Sequence, residues 1–539
     1  MPWLEWHKRN EDLKATAKTP YRLLQPVQGL SYGDADPPNM LIQGDNLEAL
    51  KALLPYYAGQ VKCIYIDPPY NTETAFEHYD DNLEHSQWLS VMYPRLRLLR
   101  ELLNECGVIF IQIDDKQMAY LRVLCDEVFG RKQFLNCIAV KTSDPSGHKT
   151  VNPSPYSQTE YLLMYAKDRS KYRYKQRYVA SGYDAGYNQV ILNIDAPFSQ
   201  WETKNINQVV AEQMGHENTR IARKAMGRAT FDALVASYAF ENRHRVFQAT
   251  AIADDASRLI VEAREQSKGQ RDAVLRVERD DAEDVYILNG RQIYFYAMKV
   301  RDVDGELVPA KPLTNLWTDI PWNGISKEGG VKFKNGKKPE RLVRRCIEIS
   351  TEAGDLVLDS FLGSGTTSAV AHKMGRRWIG IEMGIQAKTH CFSRMKAVIG
   401  GEQSGISDVV GWKGGGGFRF YQLGPKVFDD RGRINHEIKF EHLASHVWFA
   451  ETGTPRSTRA MKSPLLGEHN GIAYYLLYNG ILGDETLAGG NMLTMKVLAG
   501  LPKHDRPKVI FGAGTNLTKD RLRSLGITFK QTPYDIRAR

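Results

Sequence analysis

Two kinds of apolar pattern follow one another early in the chain. The stretches VKCIYID (61–67) and GVIFIQID (107–114) are continuous apolar runs, which is typical of buried strands. Residues 84–105 and 116–130 instead carry apolar side chains at helical spacing. Strands that alternate with helices in this way predict a parallel α/β sheet.

The alternation begins at Met40. MLIQGDNLEALKALLPYY predicts a short strand, a turn and a helix with its leucines on one face. Asp45 or Asn46 is the predicted helix start, because a side-chain oxygen there accepts a hydrogen bond from a free backbone amide. Residues 1–39 contain no strong periodic element and are predicted to wrap around a later domain.

The alternation stops near residue 141. A loop rich in Pro, Ser, Gly and Asn is followed by a strand-like stretch at 160–167 and then by a long, heavily charged segment. Within that segment Asn289 and Gly290 predict a hairpin turn. The α/β pattern returns at 340–382 as a helix, a strand, a glycine turn into a helix, and a further strand.

These patterns predict four parts. They are an N-terminal extension (1–39), an α/β domain made of two segments (40–140 and 316–424), a segment inserted into that domain (141–315), and a small C-terminal domain (425–539).

Composition indicates an ordinary globular protein with no membrane span. The 539 residues are 42% hydrophobic and 25% charged, and no run of eighteen apolar residues occurs. The polar, charged start does not resemble a signal peptide, and six scattered cysteines without a C-x-x-C pair favour reduced thiols in a cytosol over a zinc site. The net charge of +9 is weak support for an anionic partner.

The stretch CIYIDPPYN (63–71) ends a predicted strand in an unusual way. Pro68 and Pro69 cannot extend a ladder of hydrogen bonds, and they hold the backbone before Tyr70 extended and rigid. The arrangement holds the Asp67 carboxylate, a free carbonyl and an aromatic face in fixed relation. It predicts either a tight turn with a capping Asp or a site for a flat polar ligand.

LVLDSFLGSGTT (356–367) predicts a strand, a glycine turn and a helix whose first amides are free to bind a ligand. A phosphate-binding P-loop is excluded because the required Lys is missing. Three alternatives remain open. The first is a dinucleotide site, in which Glu382 would bind a ribose although Ser368 occupies the third small-residue position. The others are a nucleoside site without a pyrophosphate and a turn without a ligand.

Both stretches follow predicted parallel strands. Because ligands of open α/β sheets bind at the carboxyl ends of the strands, near the switch point, Asp67 and Gly363 are predicted to share one crevice.

Together, DPPY and the later DSFLGSGTT resemble the amino-group DNA methyltransferases that use S-adenosylmethionine, in the order of their β group. More narrowly, LIQGDNLEALKAL, CIYIDPPYNT, VIFIQIDD, LWTDIPW and EGGVKFKNGKKPERL resemble the Mod subunits of Type III restriction–modification systems. The resemblance covers roughly residues 40–165 and 310–425. It implies a Rossmann-like methyltransferase sheet, an inserted α+β target-recognition domain over 141–315, and a small C-terminal domain.

The resemblance gives the DPPY residues catalytic roles. Asp67 accepts one N–H of an exocyclic amino group, the Pro68 carbonyl accepts the other, Pro69 adds stiffness, and Tyr70 stacks on the base. The base must leave the duplex for this, since its amino group is unreachable inside it.

The resemblance also implies a set of residues for S-adenosylmethionine and no metal. They are Asp45, Asn46, Lys338, Pro339, Asp359, Phe361, Gly363, Gly365, Thr366 and Glu382.

The leading interpretation is a site-specific DNA methyltransferase of the adenine amino group. Double-stranded DNA is the implied partner. A homodimer and a helicase-nuclease restriction subunit are further expectations. The expected location is a bacterial or archaeal cytosol, in association with the nucleoid. N4-cytosine methylation is the close alternative. A non-catalytic DNA-binding specificity subunit and a nicotinamide-dependent oxidoreductase are alternatives of other classes, but the oxidoreductase leaves Asp67 to Tyr70 unexplained.

Overall fold

A computed structural model describes most of the chain. The described residues are 3–71, 84–144, 155–280, 283–333, 336–428, 434–435, 438–480, 486 and 489–532. They form two compact units, the first made of residues 1–175 and 314–539 and the second of residues 176–313. Within these ranges no helix has the length and apolar character needed to span a bilayer, and no cluster of His, Cys, Asp and Glu is placed to hold a metal ion.

The elements are as follows, in chain order. Before residue 176 the strands are β1 (Arg22–Pro26), β2 (Tyr32–Gly33), β3 (Asn39–Gln43), β4 (Val61–Ile66), β5 (Leu103–Ile113), β6 (Phe134–Lys141) and β7 (Thr159–Ala166), and the helices are α1 (Arg9–Asp12), α2 (Ala15–Lys18), α3 (Asn46–Tyr57), α4 (His85–Leu102) and α5 (Asp115–Cys125). The second unit contains strands β8 (Tyr178–Ala180), β9 (Gln189–Ile191), β10 (Thr203–Asn205), β11 (Val246–Ala251), β12 (Val274–Val277), β13 (Val285–Leu288), β14 (Arg291–Phe295), β15 (Val300–Val303) and β16 (Glu306–Pro312), and helices α6 (Ile206–Gln213), α7 (Thr219–Met226), α8 (Arg228–Glu241) and α9 (Arg258–Gly269). After residue 313 the strands are β17 (Leu316–Trp317), β18 (Leu356–Asp359), β19 (Arg377–Glu382), β20 (Gly417–Lys426), β21 (Leu465–His469), β22 (Ile472–Leu476), β23 (Met492–Leu493), β24 (Lys508–Gly512), β25 (Gly514–Thr515) and β26 (Ile527–Gln531), and the helices are α10 (Glu340–Glu348), α11 (Thr366–Lys373), α12 (Phe392–Ile399), α13 (Phe440–Thr452), α14 (Met495–Gly500) and α15 (Lys519–Ser524).

One large sheet organises the first unit. Its strand order is β1-β20-β3-β19-β18-β4-β5-β7-β6-β17, with β2 paired to β20. The six strands from β20 to β5 are parallel to one another, whereas β7 runs antiparallel to both β5 and β6. The chain winds outward from β4 to β5 on one side and from β18 to β19 on the other. The switch point of this Rossmann-like sheet therefore lies between β4 and β18, as the predicted fold class requires.

The parallel strands are apolar because helices cover them. Alternate strand residues such as Ile64 and Ile109 are fully buried in one core with Leu53 of α3, Leu96 of α4 and Leu121 of α5. Helices α10 and α11 contact β4, β18 and β19. A sheet buried in this way needs continuous apolar runs, which explains why the strand predictions over 61–67 and 107–114 were clear.

Two predicted boundaries differ from the observed ones. β7 belongs to the large sheet, so the inserted unit begins at residue 176 rather than 141 and ends at 313. The sequence break at 141 marks a loop between two strands of that sheet, and residues 145–154 of the loop lie outside the described ranges. Residues 1–39, expected to lack regular elements, contribute β1 and β2, which pair with β20 at the sheet edge.

The C-terminal part has its own four-stranded sheet, β21-β22-β24-β26. β22, β24 and β26 run parallel, and their buried residues include Tyr475, Ile510 and Ile527. Tyr21 and Leu23 pack into a second core of this part together with Val447 of α13. β20 extends to Lys426, so it runs across the predicted boundary at 425.

The inserted unit is built on an antiparallel sheet, in the order β10-β9-β11-β14-β13-β12. The predicted hairpin is present, because Leu288 pairs with Arg291 across a two-residue turn. Asn289 and Gly290 have φ values of 51° and 71°, as a two-residue turn with both central residues left-handed requires.

Gly290→Ala is expected to destabilise this hairpin by about 1–2 kcal/mol, because an L side chain is strained at a positive φ. The added Cβ would also lie 2.7 Å from Lys268 Cγ. Hydrogen exchange of the amides of residues 285–295 measures the free energy of local opening. Gly182→Ala is the matched control, since no atom lies within 4 Å of its Cβ position; equal exchange in both variants would contradict the turn assignment.

Candidate active site

The two stretches singled out in the sequence meet in one cavity. β18 pairs in parallel with β4, with Val357 opposite Cys63 and Leu358 opposite Ile64. Their carboxyl ends are therefore adjacent, and the chain after each strand lines a cavity of about 480 Å³. This volume lies in the range of sites for small molecules.

The cavity brings together nine of the fourteen predicted site residues. They are Asp67, Pro68, Pro69, Tyr70, Lys338, Asp359, Phe361, Gly363 and Thr366. Five others do not line it: Asp45, Asn46, Pro339, Gly365 and Glu382.

Asp67, the first residue of the DPPY segment, forms an ion pair with Lys338. Lys338 Nζ lies 2.8 Å from Asp67 Oδ2 and 3.8 Å from Glu160 Oε2, and it stands 4.8 Å from the centre of the Tyr70 ring. Burial disfavours the ammonium group, but the attraction of the two carboxylates more than offsets this effect and raises the pKa of Lys338. Lys338 therefore stays charged between the carboxylates.

The second oxygen of Asp67 is buried and has no hydrogen-bond partner among the described residues. Burial raises the pKa of the Asp67 carboxyl; Lys338 opposes this rise and Glu160 adds to it. An acceptor left unpaired in a buried place costs free energy, roughly 1–3 kcal/mol. Asp67 Oδ1 thus fits a ligand that brings an N–H donor into the cavity.

The cavity also holds an unpaired donor. Trp322 lines it, and its indole Nε1 is buried without a partner among the described residues. One orphaned acceptor and one orphaned donor in the same cavity suit a ligand with both an amino group and an acceptor atom.

Tyr70 is held by a chain of hydrogen bonds that runs back into the sheet. Its hydroxyl donates to Glu160 Oε2 at 2.7 Å, and Gln112 Nε2 donates to the same oxygen. Tyr65 in turn donates to Gln112 Oε1. Burial raises the pKa of Tyr70 far above its ordinary value, so the hydroxyl remains a donor. The ring orientation is therefore fixed by hydrogen bonds that lead through Glu160 to the buried Gln112 and Tyr65.

The proline segment is anchored from the helix side. The indole Nε1 of Trp88, in α4, donates to the Pro69 carbonyl at 2.7 Å. Asn71 then adopts a left-handed φ of 56°, which ends the extended run. The Pro69 carbonyl is therefore engaged, whereas the Pro68 carbonyl accepts no hydrogen bond from the described residues.

Asp359 organises the glycine turn on the other side of the cavity. Its Oδ1 accepts the amide of Phe361 at 2.9 Å, and its Oδ2 accepts the hydroxyl of Thr367 at 2.6 Å. Burial raises the pKa of Asp359 to about 7, although the two hydrogen bonds act to lower it. Gly363 and Gly365 have φ values of 57° and 82°, which only glycine adopts without strain.

Glu382, which is predicted to bind a ribose, also stabilises the glycine turn. Its Oε2 accepts the amide of Gly363 at 2.8 Å and its Oε1 accepts the amide of Gly384 at 3.1 Å. Because both oxygens bind backbone amides, the side chain is buried and lies outside the cavity lining. A ribose contact of Glu382 stays a prediction, and it is compatible with these two bonds because each carboxylate oxygen has a second lone pair.

Asp45 and Asn46 form the helix start of α3. Asp45 accepts the amides of Leu47 and Glu48, which identifies it as the N-cap, and it pairs with Arg95 at 3.0 Å. Asn46 Nδ2 donates to the carbonyl of Ser360 at 2.8 Å. The sequence left the start open between the two; here Asp45 caps the helix and Asn46 ties it to the turn after β18.

Thr366 and Pro339 lie where the glycine turn meets α10. Thr366 Oγ1 accepts a hydrogen bond from Arg394 Nη1 at 2.8 Å. Pro339 is the N-cap of α10 and Lys338 precedes it, so this helix start carries Lys338 to Asp67.

A buried ion cluster holds that helix start in place. Glu340 is fully buried, and its two oxygens lie 2.7 Å from Arg394 Nη2 and 2.8 Å from Lys373 Nζ. Glu402 forms a further ion pair with Lys373. Burial works against the carboxylate, but the two cations more than offset it and lower the pKa of Glu340.

Several residues that line the cavity were not predicted as site residues from the sequence, and three of them bear on its chemistry. Glu160, Trp322 and Phe333 line it together with the predicted residues. For Glu160 a signal was present in the sequence, because it is the one charged residue in the strand TEYLLMYA. Trp322 and Phe333 lie in LWTDIPW and EGGVKFKNGKKPERL, two stretches that carry the family resemblance, but their roles in the cavity were not predicted from it.

The family comparison agrees with this geometry. The family described as DNA methylase matches residues 61–245 and 255–392, which is more than half of the chain. The chain belongs to this family of N6/N4 DNA methylases.

Within that family the chain is similar to Mod subunits of type III systems. It is 34% identical over 72% of its length to a probable HindVI Mod subunit from Haemophilus influenzae, and 30% identical over 62% of its length to the EcoPI Mod subunit of Escherichia phage P1. These alignments cover 54% and 55% of the two relatives, so the chain spans about half of their length. A solved structure, the PvuII DNA methyltransferase specific for cytosine N4, aligns over 70% of this chain and 95% of that chain at 15% identity and a TM-score of 0.32.

Glu340→Gln is expected to lower the free energy of unfolding by about 3–5 kcal/mol, because it removes the anion that two buried cations share. Urea unfolding followed by circular dichroism measures the change. Glu105→Gln is the control, since its partner Lys171 is half-exposed and such pairs contribute less than about 1 kcal/mol. Equal destabilisation by the two variants would contradict a supporting role for the cluster.

Proposed function

We propose that the protein transfers a methyl group from S-adenosylmethionine to the exocyclic amino group of adenine in duplex DNA. The observation that carries this proposal is the buried, unpaired Oδ1 of Asp67, which lines the same cavity as the glycine turn. Membership of the DNA methylase family supports the reaction class, and the similarity to Mod subunits supports a site-specific enzyme.

The two acceptors address the chemical difficulty of the reaction. The lone pair of an exocyclic amino nitrogen is delocalised into the ring, so the nitrogen is a poor nucleophile. Asp67 Oδ1 and the Pro68 carbonyl would accept one N–H each, which favours a pyramidal nitrogen with its lone pair directed at the methyl donor. The same oxygens stabilise the positive charge that develops on the nitrogen as the N–C bond forms, until a proton leaves to Asp67 or water.

The opposite wall would hold the cofactor. When bound, S-adenosylmethionine supplies an electrophilic methyl group on a sulfonium, which becomes a neutral thioether as the C–S bond breaks. Gly363 allows close approach of the backbone, Phe361 offers apolar contact, and Asp359 and Thr366 add polar groups. The cavity volume and its mixed lining fit such a ligand.

The target base must be flipped out of the duplex to reach Asp67. Tyr70 supports this step, because its ring lines the cavity and is held by Glu160 and available to stack on a base. Adenine rather than cytosine is proposed because Asp occupies the first position of DPPY and the relatives are Mod subunits. N4-cytosine methylation is the alternative that the transfer assay separates.

DNA recognition is assigned in this proposal to the inserted unit. Residues 176–313 contain 18 Lys and Arg against 20 Asp and Glu, so the unit carries none of the net charge of +9. Contacts with phosphates must therefore come from local clusters. The start of the helix pair α7 and α8 provides one, with Arg220, Lys224 and Arg228 exposed within nine residues.

Assembly is part of the same proposal. The similarity to Mod subunits supports a homodimer that acts with a restriction subunit, on chromosomal DNA in the cytoplasm.

Asp67→Ala and Asp67→Asn are expected to lower methyl transfer by about 10²-fold or more, the range found when one preorganised stabilising group is removed. The assay uses S-adenosylmethionine labelled in its methyl group, unmethylated DNA and digestion to nucleosides. Wild type is expected to label adenine. Label in cytosine would reassign the base, and no label in wild type under conditions where the cofactor binds would overturn the proposal.

Arg220→Ala combined with Lys224→Ala is expected to weaken DNA binding and to lower the slope of log K against log salt by about two, roughly one for each phosphate contact. Fluorescence anisotropy across a salt series gives the slope. Arg258→Ala, an 88% exposed side chain on α9, is the control. A slope unchanged in the double variant would remove α7 from the DNA-binding surface.

A further inference from the structure

Glu160 contacts the proposed transfer site from β7, a strand to which neither cofactor nor catalysis has been assigned. Its Oε2 accepts the hydroxyl of Tyr70 at 2.7 Å and lies 3.8 Å from Lys338 Nζ, which is itself 2.8 Å from Asp67. The Glu160 side chain is about one-fifth exposed, so water screens these charges only weakly. Glu160 thus contacts both the stacking residue and the partner of the acceptor.

We propose that Glu160 is a positioning residue for methyl transfer, which orients Tyr70 and compensates the charge of Lys338 beside the reacting nitrogen. The inference rests on the proposed function, because it assigns a role within that same site.

Three ionised side chains form the charged group beside the reacting nitrogen. Asp67 and Glu160 each contribute −1 and Lys338 contributes +1, so the group carries one net negative charge. The amino nitrogen gains positive charge during transfer, and a net negative site stabilises it. Without Glu160 the Asp67–Lys338 pair would carry no net charge, and the site would lose the net negative charge that stabilises the developing cation.

The hydrogen bonds allow this charge to be removed with little change of geometry. Tyr70 and Gln112 both donate to Glu160 Oε2, so the carboxylate acts as an acceptor only. In Glu160→Gln the amide oxygen can occupy that position and accept both bonds. The variant therefore removes the charge and keeps the acceptor.

The ionisation of Asp67 offers an independent readout. Its carboxyl faces Lys338, Glu160, Tyr70, Tyr65 and, across the cavity, Asp359. The ionised Asp67 carboxylate stabilises the developing positive charge better than the protonated carboxyl group does, so activity falls as pH falls through its pKa. Lys338 lowers that pKa and Glu160 raises it, so removing either partner shifts the acidic limb in a different direction.

The experiment compares Glu160→Gln, Lys338→Met and the double variant in the labelled transfer assay. Glu160→Gln is expected to lower kcat on the order of tenfold to a hundredfold, the effect of a unit charge a few ångströms from a developing charge. Its acidic limb is expected to move to lower pH, and that of Lys338→Met to higher pH. The Asp359→Asn background checks that Asp359, whose pKa is about 7, does not cause the shift.

The double variant separates compensation of charge from general damage. Lys338→Met leaves two carboxylates that repel each other, so the added Glu160→Gln is expected to restore activity above that of Lys338→Met alone. Independent damage predicts the product of the two losses instead. The inference would be overturned if the activity of the double variant were at or below that product. It would also be overturned if the acidic limbs of the two single variants shifted in the same direction.

Two further measurements keep structural effects apart. The cofactor dissociation constant of Glu160→Gln is expected to match that of wild type within about twofold, and its urea midpoint within experimental error. Glu105→Gln is the surface control. A large loss of cofactor affinity or a large fall in the urea midpoint would show a structural role and reject the proposal. If wild type itself transfers no methyl group, the proposed function fails; if wild type is active and Glu160→Gln equals it, only this inference fails.

Discussion

The parallel pairing of β4 with β18 is the constraint on which the rest of the site depends. These strands are nearly three hundred residues apart in the chain, yet the pairing of Val357 with Cys63 makes them neighbours at the switch point of the sheet. Their two carboxyl ends therefore open into the same cavity. Every chemical role proposed for Asp67 and the glycine turn requires this adjacency.

The site also depends on charged side chains that are buried and paired with one another. Asp67 is kept in a buried place by Lys338, and Lys338 is positioned by a helix start that the Glu340 cluster anchors. Such clusters contribute little net stability, but removing one member leaves the others uncompensated. The arrangement holds an acceptor ready for a ligand at the expense of local stability, as expected where function and stability compete.

Much of the fold and part of the site could be predicted from the sequence. Continuous apolar strands, amphipathic helices and glycine turns are local signals, so the α/β sheet and the cavity residues Asp67 and Gly363 followed from them. Glu382 and Asp45 show the limit: an acid after a strand can bind a ligand or cap backbone amides, and only the fold shows that both bind amides here. Glu160 was missed because its partners Tyr70 and Lys338 are distant in sequence.

A crystal structure of the protein with bound S-adenosylmethionine would show whether the ends of β4 and β18 form one transfer site. We expect the cofactor over Gly363 with its methyl group directed towards Asp67 Oδ1, in the cavity that β4 and β18 share. A cofactor bound away from the glycine turn, or a methyl group facing away from Asp67, would contradict it.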